Sequence, residues 1–133
     1  MSVSSGKTAR SHRGAMAYFG GLSAETQVAD LYRRQGRAIA AQRWRGRSGE
    51  IDLIAEEQGG FVFIEVKRAA THDRAVMRLS RRQRDRIYAA ASEYISRSPQ
   101  GMNCSVRFDV ALVDQQGLIK IIENAFGLEY SGW

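Results

Sequence analysis

The sequence predicts an α/β fold: a central mixed β-sheet flanked by helices, in the order α-β-β-β-α-β-β. Two apolar stripes at helical spacing enclose a block of strand-like segments. Glycine-rich turns fall between those segments. The 133 residues suit one domain with its own core.

Residues 1–20 are rich in Ser, Gly and Arg and lack periodicity, which reads as a flexible basic arm. Ser23 is the expected N-cap of a helix over about 24–35. Ala24, Val28, Leu31 and Tyr32 form its stripe, and Gly36 supplies its stop. Ile39 to Trp44 make a short first strand. A basic loop, Arg45-Gly46-Arg47-Ser48-Gly49, leads to a second strand from Glu50 to Glu57. Phe61 to Lys67 form the third, and Gln58-Gly59-Gly60 is the hairpin signal between them. A second helix covers about 80–97, with Ile87, Ala90, Ala91, Tyr94 and Ile95 as its stripe and Pro99 beyond its end. Ser105 to Val113 and Leu118 to Glu123 are the last strands, around a turn at Asp114–Gly117. Residues 21–127 therefore form a single domain, followed by a tail at 128–133.

Charge narrows the function. Of the 20 basic residues, 17 are arginine, and the net charge is +6. The arginines cluster at 33–47, with no acid, and at 68–86, against Asp73 and Asp85 only. Arginine's planar fork suits phosphate, so nucleic acid is the expected partner class. Arg43, Arg45, Arg47, Arg68, Arg81 and Arg82 are the expected nucleic-acid-binding set. The plainer reading is a solvated basic surface. One cysteine, Cys104, excludes an internal disulfide and a cysteine-based zinc site. No apolar run approaches a membrane span, and no signal peptide is visible, so a cytoplasmic protein with no membrane partner is expected.

The central hairpin carries the chemistry. By strand alternation Phe61, Phe63, Glu65 and Lys67 share one face of the third strand, and Val62, Ile64 and Val66 the other. On the second strand Ile51, Leu53 and Ala55 share a face opposite Glu50, Asp52, Ile54 and Glu56. A two-residue turn at Gly59-Gly60 pairs Asp52 with Lys67. A four-residue turn at 57–60 pairs Asp52 with Glu65. Either gathers Asp52, Glu65 and Lys67 on one face. Two carboxylates suit Mg²⁺, which keeps several waters and takes substrate phosphate oxygens. A lysine beside them suits an attacking water or a developing phosphate charge. The alternative is an ordinary ion pair at a strand end, worth about 0–1 kcal/mol if exposed.

Gly49-Glu50-Ile51-Asp52-Leu53-Ile54-Ala55 followed by Phe63-Ile64-Glu65-Val66-Lys67 resembles the YraN-like family. This group of small bacterial proteins is placed in the PD-(D/E)XK, or restriction-endonuclease-like, nuclease superfamily, near the archaeal Holliday-junction resolvases. Gly21-Leu22-Ser23-Ala24-Glu25, Arg107-Phe108-Asp109-Val110 and Asn124-Ala125-Phe126 are similar to further family segments, in order, across about 20–127. The resemblance implies a restriction-endonuclease-like core. It implies Asp52 and Glu65 as metal ligands with the Val66 carbonyl, Lys67 as the catalytic lysine, and Glu25 as an additional acid at the metal or its water shell. It also implies Gln83 as a completing glutamine, although Ser80-x-x-Gln83 reads equally as a helix capping box. Glu50 falls on the predicted active face or pairs with Arg47. The sequence departs from the family pattern at Ala69, where a basic residue is frequent, and at Arg82, where lysine is.

The implied function is a Mg²⁺-dependent endonuclease, with Mn²⁺ as substitute, acting on nucleic acid, DNA foremost and branched DNA in particular. Cutting two strands of a junction favours a two-fold homodimer. A non-catalytic nucleic-acid-binding module and a basic interaction or scaffold protein are the alternatives. His12 and His72 read as surface residues, though His72 follows the third strand. Trp44, Tyr18, Phe19 and Trp133 read as packing before base stacking.

Overall fold

The central strand of this chain is apolar on both faces, so the sheet needs cover on both sides. In the computed structural model, which describes residues 21–99, 101 and 103–125, helices supply that cover. The elements are α1 (Gly21–Arg34), β1 (Ile39–Arg45), β2 (Glu50–Glu57), β3 (Gly60–Arg68), α2 (His72–Met77), α3 (Arg81–Ser96), β4 (Ser105–Val113) and β5 (Ile119–Ile122). The strands lie in sequence order, β1-β2-β3-β4-β5. The β3–β4 pair is parallel and the other three pairs are antiparallel, so the sheet is mixed as expected. A parallel pair needs a crossover, and α2 and α3 form it.

Two apolar layers follow from strand alternation. Ala24, Val28, Ala29 and Tyr32 of α1 pack on Leu53, Ala55, Val62, Ile64, Ala111 and Val113. Ala75 of α2 and Ile87, Ala90, Ala91 and Ile95 of α3 pack on Ile51, Ile54, Phe61, Phe63, Phe108 and Leu112 from the other side. Tyr94 meets Trp44, Phe61 and Phe63 edge-on, with centroids 5.2 to 5.9 Å apart. Trp44 is thus a packing residue. Across the first layer, Tyr32 Oη donates to Asp109 Oδ2 at 2.7 Å. Asp109 is buried and also accepts from Arg107 Nε, Arg107 Nη2 and the Asn124 N–H. This carboxylate ties α1 to β4 and to the chain after β5.

The structure corrects several boundaries. Helix α1 starts at Gly21, so Ser23 lies inside it and is not its N-cap. A short helix, α2, lies between the third strand and the second expected helix, where the sequence pattern predicts no element; Thr71 Oγ1 caps it by accepting from the Arg74 N–H at 3.1 Å. The hairpin turn is Gln58-Gly59, closed by Glu57↔Gly60, with Gly59 at φ 78°. Its register still contains Glu56↔Phe61, the pairing expected of the longer turn. Ile51 packs with Ile54, not with Leu53 and Ala55, so alternation breaks between Ile51 and Leu53. The expected arm at 1–20 and tail at 128–133 lie outside the described residues, as do His12, Tyr18, Phe19 and Trp133. Among the described residues no helix is long and apolar enough to cross a membrane.

Candidate active site

The break at Asp52 creates the site. The β2–β3 ladder runs from Glu57↔Gly60 to Leu53↔Ile64 and goes no further. Where the next pairs would form, Asp52 Oδ2 accepts from the Val66 N–H at 2.8 Å. A side-chain oxygen thus stands in for a backbone acceptor, and the two strands part around it. Glu65, inside the strand, is held in place by its neighbours: Lys67 Nζ lies 3.1 Å from its Oε2, with the two side chains only 15% and 7% exposed. From the covering helix, Gln83 Nε2 donates to the same Oε2 at 2.9 Å.

Gln83 makes one bond through its backbone and another through its side chain. Ser80 Oγ accepts from the Gln83 N–H at 3.1 Å and caps α3. The glutamine side chain goes to Glu65, tying the start of α3 to the end of β3. Glu25 approaches from α1, on the opposite face, with Arg43 Nε 3.9 Å from its Oε1. Asp52, Glu65, Lys67, Gln83 and Glu25 are thus gathered from both layers at one end of the sheet.

Burial of like charges sets the electrostatics. Burial first, and then the neighbouring Asp52, push the Glu65 carboxyl up to about 8 against the pull of Lys67. Burial also raises Asp52, against the Val66 N–H, the hydrogen bond to Glu65 and the charge of Lys67. Glu25 is raised by burial and then by Asp52, with Arg43 opposing. Asp52 is held by the Val66 N–H, and Glu65 by Lys67 and Gln83, so a cation here would meet hard oxygen donors already in place. Among the described residues, no group of three His, Cys, Asp or Glu side chains is close enough to hold a metal ion. Two carboxylates, with water completing the shell, fit Mg²⁺ better than a fully protein-enclosed cation. Asp52 and Glu65 fit as ligands, and Glu25 lies close enough for the Asp52 charge to raise its carboxyl. Val66 contributes its N–H to Asp52.

The arginines surround this centre unevenly. Arg45 Nη2 lies 3.4 Å from Glu50 Oε2, so the partner of Glu50 is Arg45 and not Arg47. The Arg45–Gly49 loop is pinned to α3, because Glu93 Oε1 accepts from the N–H groups of Arg47 at 2.9 Å and Ser48 at 3.4 Å. A Cβ at Gly46 would collide with Glu93 and Trp44, which accounts for the glycine. Nothing local in the sequence marks Glu93 for this role, since its partners lie on a different element. Arg81 and Arg82 are exposed in the first turn of α3, just before Gln83. Arg68 is half-buried at the end of β3, with Nε lacking a hydrogen-bond partner among the described residues. His72 Nε2 is 2.9 Å from the Leu118 carbonyl oxygen and 3.9 Å from Asp114 Oδ2, so it serves the β4–β5 turn.

The sequence segment that builds this geometry, residues 24–113, matches the model of the family described as "Uncharacterised protein family UPF0102". The chain belongs to this family. UPF0102 is the YraN family, so the resemblance drawn from the motifs holds. A UPF0102 protein of Cereibacter sphaeroides is 57% identical over 113 residues, covering 85% of this chain and 97% of its own length. One from Roseobacter denitrificans is 49% identical over 117 residues, covering 88% and 91%. One from Ruegeria pomeroyi is 46% identical over 115 residues, covering 86% and 94%. These names carry no activity, so the function rests on the site.

Proposed function

We propose that this UPF0102 protein is a Mg²⁺-dependent phosphodiester hydrolase of nucleic acid, an endonuclease acting on DNA in the cytoplasm. Branched DNA is the substrate to test first, and a two-fold homodimer the assembly. One observation carries the reading: the buried carboxyls of Asp52 and Glu65 lie where the β2–β3 ladder ends, Asp52 on the Val66 N–H and Glu65 on Lys67 and Gln83. A purely structural ion pair would need one acid and one base. Here two acids face one lysine, and a cation would let both ionise without leaving a net negative charge buried.

Asp52, Glu65 and the Val66 carbonyl would hold the metal. Bound there, Mg²⁺ or Mn²⁺ supplies an acidified water and a counter-charge for the phosphate. Gln83 fixes the Glu65 carboxylate so that its second oxygen keeps one direction. Lys67 shares that carboxylate and is positioned to orient the attacking water or to stabilise charge on the phosphate. Arg81 and Arg82 at the start of α3, and Arg45 and Arg47 on the pinned loop, offer phosphate contacts on the approach.

The test is calorimetric titration of Mg²⁺ and Mn²⁺ into wild type and the Asp52→Asn/Glu65→Gln double variant, with cleavage of a labelled four-way junction followed in parallel. Metal uptake and cleavage that both vanish in the double variant are the expected result. Equal metal uptake by the two proteins would overturn the metal site. Salt-dependent binding without cleavage in either metal would leave a non-catalytic nucleic-acid-binding module.

A further inference from the structure

We propose that Arg43 is a phosphate-binding residue of this site, held in a strained backbone conformation beside Asp52, with Glu25 as the counter-ion that a substrate phosphate displaces. The inference rests on the nucleic-acid reading above. It adds which of the many arginines engages the backbone next to the acids, and what occupies that arginine beforehand.

Three observations carry it. First, Arg43 sits within β1 at φ 53°, the left-handed region. That region disfavours a residue with a long side chain on a Cβ and suits Gly, Asn or Asp. Among the described residues the other non-glycine position with positive φ is Asn124, whose residue type suits it. Arginine at 43 has no such affinity for the geometry, and strain of this kind persists where the surroundings enforce it. Second, Arg43 stands opposite Asp52. The pairs Gln42↔Leu53 and Trp44↔Ile51 bracket these two residues, and the β2–β3 ladder stops on the other side of Asp52. The kink in β1 and the parting of β2 from β3 therefore fall on one line across the sheet. Third, the guanidinium is loosely held. Its Nε is 3.9 Å from Glu25 Oε1, and the Arg43 side chain is 59% exposed.

A structural ion pair would be shorter and better covered. Arg45 is also exposed, but it pairs with Glu50, its register partner across the β1–β2 ladder. Arg43 alone couples an enforced kink to the acid centre. A phosphate group offers the same two-point acceptor as Glu25, with more charge, so exchange of one for the other needs only a side-chain movement. The negative Glu25 would otherwise repel the incoming backbone, and Arg43 screens it.

The experiment is fluorescence anisotropy of a labelled four-way junction in EDTA across a salt series. It compares wild type with Arg43→Gly, Arg43→Asn and Arg43→Lys, and records thermal unfolding of each. Gly and Asn tolerate the backbone geometry, so their melting temperatures should equal or exceed that of wild type. Both should bind about tenfold more weakly at low salt, and the log K against log salt slope should shrink by about one. Lys should keep the slope and lose part of the affinity. Unchanged affinity and slope in the Gly and Asn variants would overturn the inference. So would a fall in melting temperature with the slope intact, which would make Arg43 a structural ion pair. If wild type shows no salt-dependent binding, the nucleic-acid reading itself fails and this inference fails with it. If wild type binds and cuts while the Arg43 variants match it, only the inference fails.

Discussion

Glu65→Gln should change how stability depends on pH before it changes anything else. The ordinary carboxyl value is 4.5, and burial beside Asp52 raises it to about 8 in the folded chain. The folded form therefore binds this proton more tightly than the unfolded form. Below pH 4.5 both forms carry the proton and the contribution to stability is complete. As pH rises from 4.5 towards 8, the unfolded chain releases the proton while the folded chain keeps it, so stability falls. Above 8 both have released it and the contribution is gone. Within that window a rise of one in pH costs about 1.4 kcal/mol, and integrating from pH 6 to pH 8 gives about 2 kcal/mol of lost stability. With an unfolding entropy of about 2.1 cal/mol/K per residue, that is a fall in melting temperature of about 8 °C. The assay is thermal unfolding at pH 6, 7 and 8, with and without 10 mM Mg²⁺ (roughly a hundredfold excess over a Kd on the order of 0.1 mM). Wild type should lose these degrees between pH 6 and 8, and Mg²⁺ should restore much of them at pH 8. Glu65→Gln should show neither the fall nor the rescue. Parallel pH profiles for the two proteins would refute the raised Glu65 carboxyl, and with it the electrostatic case for a cation.

Five further substitutions separate scaffold from site. Arg107→Ala leaves Asp109 buried without its cation and should destabilise the fold by about 3–5 kcal/mol in urea unfolding, with metal uptake per folded molecule unchanged. Ser80→Ala should cost about 1 kcal/mol through loss of the α3 cap, whereas Gln83→Ala should retain the cap and weaken Mg²⁺ binding in calorimetry, by about 10-fold or more. Gly60→Ala would drive a Cβ into the Ser105 backbone where β3 meets β4, so soluble expression and cooperative melting should be lost, while Gly59→Ala at positive φ should cost only about 1–2 kcal/mol.

The secondary structure and the central acids are legible in the sequence because both depend on short-range pattern. Alternation places Glu65 and Lys67 on the same side of β3, and the ion pair between them follows. Pattern alone leaves the hairpin register open between Asp52–Lys67 and Asp52–Glu65; the pairs that form run in the second register, through a tighter turn, and stop at Leu53↔Ile64, short of Asp52. What the sequence does not reveal is non-local. The end of the β2–β3 ladder beside Asp52 has no signal in a run that reads as, and is, uninterrupted strand; there the Asp52 carboxylate takes the Val66 N–H. Glu93 gathers the basic loop from another element, and the Asp109 network joins three segments distant in the chain. The two readings of Gln83 are not exclusive, since its backbone serves the cap and its side chain serves Glu65. Helix α2 escapes a reading by pattern because six residues, with one buried, leave almost no periodicity to detect.

The parallel pairing of β3 with β4 has a consequence for the order of folding. The β1-β2-β3 meander closes through neighbours in the chain, while β4 must wait for the crossover through α2 and α3. Contact order predicts that the hairpin carrying Asp52 and Glu65 forms first and stays hydrated until α3 covers it and Gln83 reaches Glu65. On that order, the burial that raises the Glu65 carboxyl should come with the late, long-range step that completes the core. Refolding at pH 7 should accordingly pass through a kinetic phase that accelerates with acid or with divalent cation, while formation of the hairpin responds to neither.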